Sequence, residues 1–133
     1  MDNPGVYTLA ALGITTALSA QAQTPIIDLD GMTAVTLEFA FAPGTGGSTA
    51  SVTVQTSFDE GTTWRDIARA DFTTAAAVKH CNLEGMLSKG MTAYNTLGSE
   101  GVYDGVLGDQ LRAVVTSTGT YVGATLSARA AVR

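Results

Sequence analysis

Cysteine and histidine are almost missing from this chain of 133 residues, which holds one of each, Cys81 and His80. A single thiol closes no disulfide within the chain, and one Cys with one His falls short of a structural zinc ligand set. A Ser-His-Asp triad would have to use the same lone His80. Charge is scarce too: 14% of residues are charged, against about a quarter in an average domain. The balance is acidic, at −5, so the basic footprint of nucleic-acid binding is lacking and no nucleic-acid partner is expected. Aromatic residues, at 7%, are few and are not interleaved with basic ones, which speaks against stacking on single strands. No apolar run approaches the ~20 residues of a membrane helix, and no membrane partner is expected.

What is present suits one β-rich domain. The length fits a single domain, which buries about two-thirds of the surface its unfolded chain exposes. The apolar fraction is 45%, too high for a disordered chain. Residues 5–22 read GVYTLAALGITTALSAQA. The stretch ends like a cleavage site, but a secretory signal starts with positive charge, and the first Lys or Arg is Arg65. Residues 1–23 are therefore expected to be an extended N-terminal arm with a first strand, reaching toward a neighbouring subunit. Residues 8–22 are the only stretch with helix-like Ala and Leu content, and Gly13 with three threonines opposes that.

From there period-two alternation dominates. Val35, Leu37, Phe39 and Phe41 share one face of a strand over residues 34–41, opposite Thr36 and Glu38, the pattern of a half-buried strand. A turn or loop at 43–48 follows. Further strands are expected over 51–58, 63–72, 79–83, 110–117 and 121–133. In the last, Val122, Ala124, Leu126, Ala128, Ala130 and Val132 share a face. Thr118-Gly119-Thr120 reads as a tight hairpin turn between the final two. Residues 84–108 carry six glycines and no periodicity; loops this long are usually functional or contact another chain. The expected fold is all-β: an antiparallel β-sandwich, jelly-roll-like, over residues 24–133.

One local motif stands out. Ser57-Phe58-Asp59-Glu60-Gly61-Thr62-Thr63-Trp64 fits Ser-x-Asp-x-Gly-x-Thr-Trp. It resembles the Asp-box, a β-hairpin motif of sialidase propellers and several other β-folds. Asp59 can accept hydrogen bonds from the turn's own amides, Gly61 can supply a positive φ, and Trp64 can fold back over the hairpin. Ser57, Asp59, Gly61, Thr63 and Trp64 are thus structural candidates. The resemblance implies a structural motif lying away from any active site.

Groups with possible chemistry fare poorly. Asp28 and Asp30 alternate on one strand face and sit before Gly31, with none of the further spacing of a calcium loop. His80 and Cys81 are neighbours on a strand and point to opposite faces. Arg65 and Arg69 share a face with Asp71 two positions on, a charged cross-strand ladder or interface pair. No phosphate-loop pattern follows from the glycines at 44–47. No catalytic residue, metal site or cofactor is expected.

A longer linear pattern is carried by Gly44-Thr45-Gly46-Gly47, Val54-Gln55-Thr56-Ser57, Asp66-Ile67-Ala68, Phe72-Thr73-Thr74-Ala75, residues 104–112 and Thr118-Gly119-Thr120-Tyr121. It resembles small structural proteins of tailed bacteriophages and prophages over most of residues 24–133. The resemblance implies a virion component, built as a homo-oligomer against other virion proteins. It would be a capsid decoration or cement protein, or else a neck, tail or fibre-attachment subunit. A carbohydrate-binding module for host attachment is the remaining class, with Tyr94 and Tyr103 in the long loop as its candidate residues.

Overall fold

The computed structural model describes residues 4–133. Eleven strands run in chain order: β1 (Gly5–Ile14), β2 (Gln21–Ala22), β3 (Ala34–Ala42), β4 (Thr45–Gly46), β5 (Thr49–Ser57), β6 (Arg65–Phe72), β7 (Ala77–Glu84), β8 (Gly101–Val102), β9 (Gln110–Thr118), β10 (Tyr121–Val122) and β11 (Ala124–Val132). There is no helix among the described residues. The fold is all-β and sandwich-like. One sheet has the order β1-β11-β3-β7 and the other β2-β9-β5-β6-β8, while β4 pairs with β10 at one end. All of these strand pairs are antiparallel.

The alternating patterns account for the core between the sheets. Leu37 and Phe39 of β3, with Leu126, Ala128 and Ala130 of β11, face Val52 and Val54 of β5 and Leu111, Ala113 and Val115 of β9, all buried. Each Leu or Val so buried contributes about 1.5–3 kcal/mol. One end is closed by aromatics. Phe41 stacks on Phe72 at 5.2 Å and meets Tyr121 edge-on at 5.6 Å. The Tyr121 hydroxyl donates to the Thr73 carbonyl at 2.8 Å, so its polar tip is satisfied inside an apolar setting.

Several expectations change. The first strand expected within residues 1–23 forms as β1, and residues 5–14 lie in this chain's own sheet as an edge strand: β1 pairs with β11 from Gly5↔Val132 to Ile14↔Ala124 and buries Leu9, Ala10 and Ile14. Residues 1–3 of the expected arm lie outside the described residues. The helical alternative over 8–22 gives way to β1 and β2. Thr118-Gly119-Thr120 does not close a hairpin, because β9 and β11 lie in different sheets. The chain crosses between sheets there, and β10 ends before Gly123. Val122 accordingly faces solvent, 64% exposed, while Ala124 to Val132 keep the buried alternation. Asp28 and Asp30 lie outside any strand; between them Leu29 is buried and donates its amide to the Asp109 carbonyl.

A bulge in β6 overturns the shared face of Arg65 and Arg69. Val54 pairs with Ala68 but Gln55 pairs with Asp66, leaving Ile67 as the extra residue. Such a bulge shifts the alternation by one. Ile67 is fully buried, and Arg65 lies out of phase with Arg69.

Candidate functional site

The turn between β5 and β6 is held by its own side chains. Asp59 accepts from the Thr63 amide at 2.8 Å and from the Thr63 hydroxyl at 2.7 Å. The Ser57 hydroxyl donates to Asp59 at 2.9 Å and accepts from the Gly61 amide at 2.8 Å. Hydrogen bonds to the ionised form, from the Thr63 backbone first and its hydroxyl next, hold the Asp59 carboxyl below its ordinary value. Gly61 sits at φ 89°, open to glycine and strained for other residues. The Trp64 indole donates to the Gly61 carbonyl at 3.1 Å, and the Arg112 guanidinium lies 4.5 Å from the Trp64 ring centre. Trp64 is half-buried, covering the hairpin from outside the core.

The polar outer face of β9, β5 and β6 continues from this hairpin. Arg112 donates to Gln55 at 2.8 Å, and Gln55 donates to Asp66 at 2.8 Å. Asp66 is buried and also accepts the Leu97 amide at 2.9 Å. Arg69 donates to the Leu97 carbonyl at 2.9 Å and pairs with Asp71 at 2.8 Å. The Glu100 amide donates to Asp71, and the Glu100 carboxylate receives Lys79 at 2.6 Å. The charged residues of β6 therefore strap the long loop along the edge of the sheet. Its return leg is pinned by β8 against Ala68 and Arg69, and by the Tyr103 amide donating to the Ile67 carbonyl at 2.7 Å. Near residue 108 loop and hairpin touch: a Cβ at Gly108 would overlap the Ser57 carbonyl oxygen.

This strapping brings Tyr94 and Tyr103 together, with ring centres 6.5 Å apart in an edge-on arrangement at 69°. The Tyr94 hydroxyl accepts the Asp66 amide at 2.9 Å, and burial raises its own ionisation above the ordinary value. Arg65 lies over the Tyr94 ring at 5.2 Å. With Phe58 and Lys89 they line a cavity of about 250 Å³. Phe58 and Lys89 carry no role in the sequence reading, and Arg65 enters it only as a ladder or interface partner of Arg69. The available signal was Phe58 itself, a large aromatic at an unconstrained position of the hairpin motif.

The remaining candidates do not converge. His80 faces outward to Glu38 at 3.0 Å, whereas Cys81 points inward. Burial pushes the Cys81 thiol up to about 11, so at neutral pH it is not the thiolate a nucleophile requires. Asp28, Asp30, Glu60 and Asp109 line one broad open cleft, but no group of three or more metal-ligating side chains is assembled among the described residues.

The second feature with functional geometry is the outer face of the β1-β11-β3-β7 sheet. Its rows follow from the register: Gly13, Thr125 and Ala42; then Ala11, Ser127, Ala40 and Val78; then Thr8, Arg129, Glu38 and His80; then Val6, Ala131, Thr36 and Asn82. In these four rows charge is confined to one, where Glu38 bridges His80 and Arg129, the latter at 3.9 Å. Across β1, β11 and β3 the small residues of the first two rows line, with Leu12, Phe41 and Leu126, an open hollow of about 380 Å³. Comparison of the chain with protein-family models, with curated proteins and with solved structures returned no match.

Proposed function

We propose that the chain is a non-enzymatic structural subunit of a tailed-phage virion, a decoration or cement protein that stabilises the shell by covering boundaries between shell subunits. The observation that carries this reading is the outer face of the β1-β11-β3-β7 sheet. The face has one charged row, and small residues of β1, β11 and β3 run across two others, bordered by the exposed Val78 of β7. It suits face-to-face packing on another sheet at about 10 Å. Both flanking strands are long, ten residues in β1 and eight in β7, and their open edges can accept a strand from a neighbour.

The topology supports the same reading. Apart from the two-residue β4, β8 and β10, eight strands remain. β2 belongs with them because the chain follows β9 beyond it, through the Gln23 amide to Ala113 and the bridge from Ile26 to Leu111. Numbered 1–8 in chain order, they run 1-8-3-6 in one sheet and 2-7-4-5 in the other. We read this as a jelly roll, an arrangement used by viral capsid and lectin domains alike, so fold analogy alone does not choose the role. Binding across shell boundaries stabilises the assembled state by mass action and needs no covalent step.

The test is the copy number per particle, by quantitative mass spectrometry of purified virions. A number comparable to the major shell protein is expected. Ala40→Arg, which projects a long charged side chain from the smooth rows, is expected to fold normally and to lower the copy number at least about tenfold. A small ring-like number moves the protein to the neck or tail. Absence from the particle overturns the virion reading.

A further inference from the structure

We propose that the cavity between the β5–β6 hairpin and the long loop binds an acidic saccharide, a sugar ring that carries a carboxylate. Three of the chain's few aromatic residues line it, and they come from three separate places: Phe58 from the hairpin turn, Tyr94 from the loop, and Tyr103 from just beyond β8. The turn does not need Phe58. Its hydrogen bonds run through Ser57, Asp59, Gly61, Thr63 and Trp64, yet Phe58 is 63% exposed. Clustered exposed apolar surface on a small domain marks a binding site more often than chance.

The geometry favours a puckered ring over a flat one. Tyr94 and Tyr103 stand edge-on, so they form a corner and not a parallel slot of the kind that sandwiches a planar base. The C–H face of a pyranose can lie on one ring while its rim meets the other. At about 250 Å³ the cavity is below the ~300–1,000 Å³ that encloses drug-sized ligands, and it fits a single sugar unit of a longer chain.

Charge selects the acid. Arg65 and Lys89 line the cavity, and the one carboxylate there, Asp66, is buried and already accepts from Gln55 and Leu97. The cavity is therefore locally cationic in a chain of net charge −5. Arg65 is already aligned by stacking on Tyr94, and a guanidinium meets a carboxylate in a two-pronged fashion. The Tyr94 hydroxyl is tied to the Asp66 amide, so the platform is ordered before any ligand arrives, which lowers the entropy lost on binding.

This inference is independent of the assembly reading, and its test uses the isolated 133-residue chain. Amide NMR shifts are followed on titration with tetragalacturonate, with an α2,8-linked sialic acid tetramer and with neutral galactotetraose. Saturable shifts around residues 58, 65, 89–95 and 103 are expected with at least one acidic probe, and binding at least tenfold weaker with the neutral one. Arg65→Gln and Phe58→Ala, both at exposed positions, are each expected to weaken binding about tenfold or more. Ala40→Arg, on the opposite sheet, is expected to leave it unchanged. The inference is overturned if neither acidic probe binds, if the neutral probe binds equally well, or if both cavity variants bind as the parent does. It is likewise overturned if a nucleoside monophosphate binds more tightly than either acid.

Discussion

Asp59 shows what one carboxylate does in the hairpin. It takes two hydrogen bonds from Thr63 and a third from Ser57, and its carboxyl is held below the ordinary value. A carboxyl depressed in the folded state adds stability that is present above its unfolded value, about 3.9. That stability is lost as pH falls through the folded value. Melting temperature measured from pH 7 down to pH 2 is therefore expected to drop below about pH 4. In Asp59→Asn the midpoint at neutral pH should be lower and the part of the acid-side fall due to this group absent. Cys81 gives the opposite case. Its thiol, at about 11 against an ordinary 9.0, has about a hundredfold less thiolate at pH 8, and higher intrinsic nucleophilicity recovers only part of that. Alkylation by iodoacetamide at pH 8, followed by mass spectrometry, should run at least about tenfold slower in the native chain than in the urea-unfolded chain. The hairpin's bonding plan was legible in the sequence because its donors and acceptors all lie within eight residues, Ser57 to Trp64. Arg65 was misread because a bulge is set by the partner strand, and nothing within residues 63–72 announces the extra residue at Ile67.

Among the elements, clean alternation transferred directly. β3, β5, β9 and β11 lie where apolar and polar residues alternate. The long loop did not transfer, because its order comes from β6 and not from itself. Asp66, Arg69 and Asp71 each hold it by backbone or side-chain hydrogen bonds, and no local pattern in 84–108 predicts those partners. Tyr94 and Tyr103 could be named as candidates, but their contact depends on this strap. Asp66→Ala removes a buried acceptor and leaves the Leu97 amide and the Gln55 side chain without theirs. It is expected to destabilise the fold by about 2 kcal/mol. Trypsin should then cut after Lys89 well before global unfolding, which limited proteolysis with mass mapping detects.

At the scale of the molecule, strand order governs how the chain comes together. Among the long strands, β5 and β6 alone are both consecutive and paired; β1 pairs with β11, and β3 lies between β11 and β7. Pairings this distant in sequence place refolding in the millisecond-to-second range, which stopped-flow fluorescence of Trp64 can time. Removing residues 124–133 deletes an inner strand and separates β1 from β3. That variant is expected to lose cooperative unfolding, as read by circular dichroism against temperature. Sequence reasoning reached the sandwich but not the route from β9 to β11. A glycine turn shows that the chain reverses, whereas the sheet it enters depends on which core face is still vacant.

The inner position of β11 also sets a timetable on the ribosome. Translation proceeds at roughly 5–20 residues per second, so β1 and β3 are made several seconds before the strand that joins them. Until residues 124–132 clear the exit tunnel, the nascent chain presents Leu37, Phe39 and Phe41 on a strand lacking that neighbour. The turn bonds of Asp59, by contrast, lie within residues 57–63 and need nothing made later. The smooth outer face is likewise incomplete until β11 has been made and joins β1 to β3.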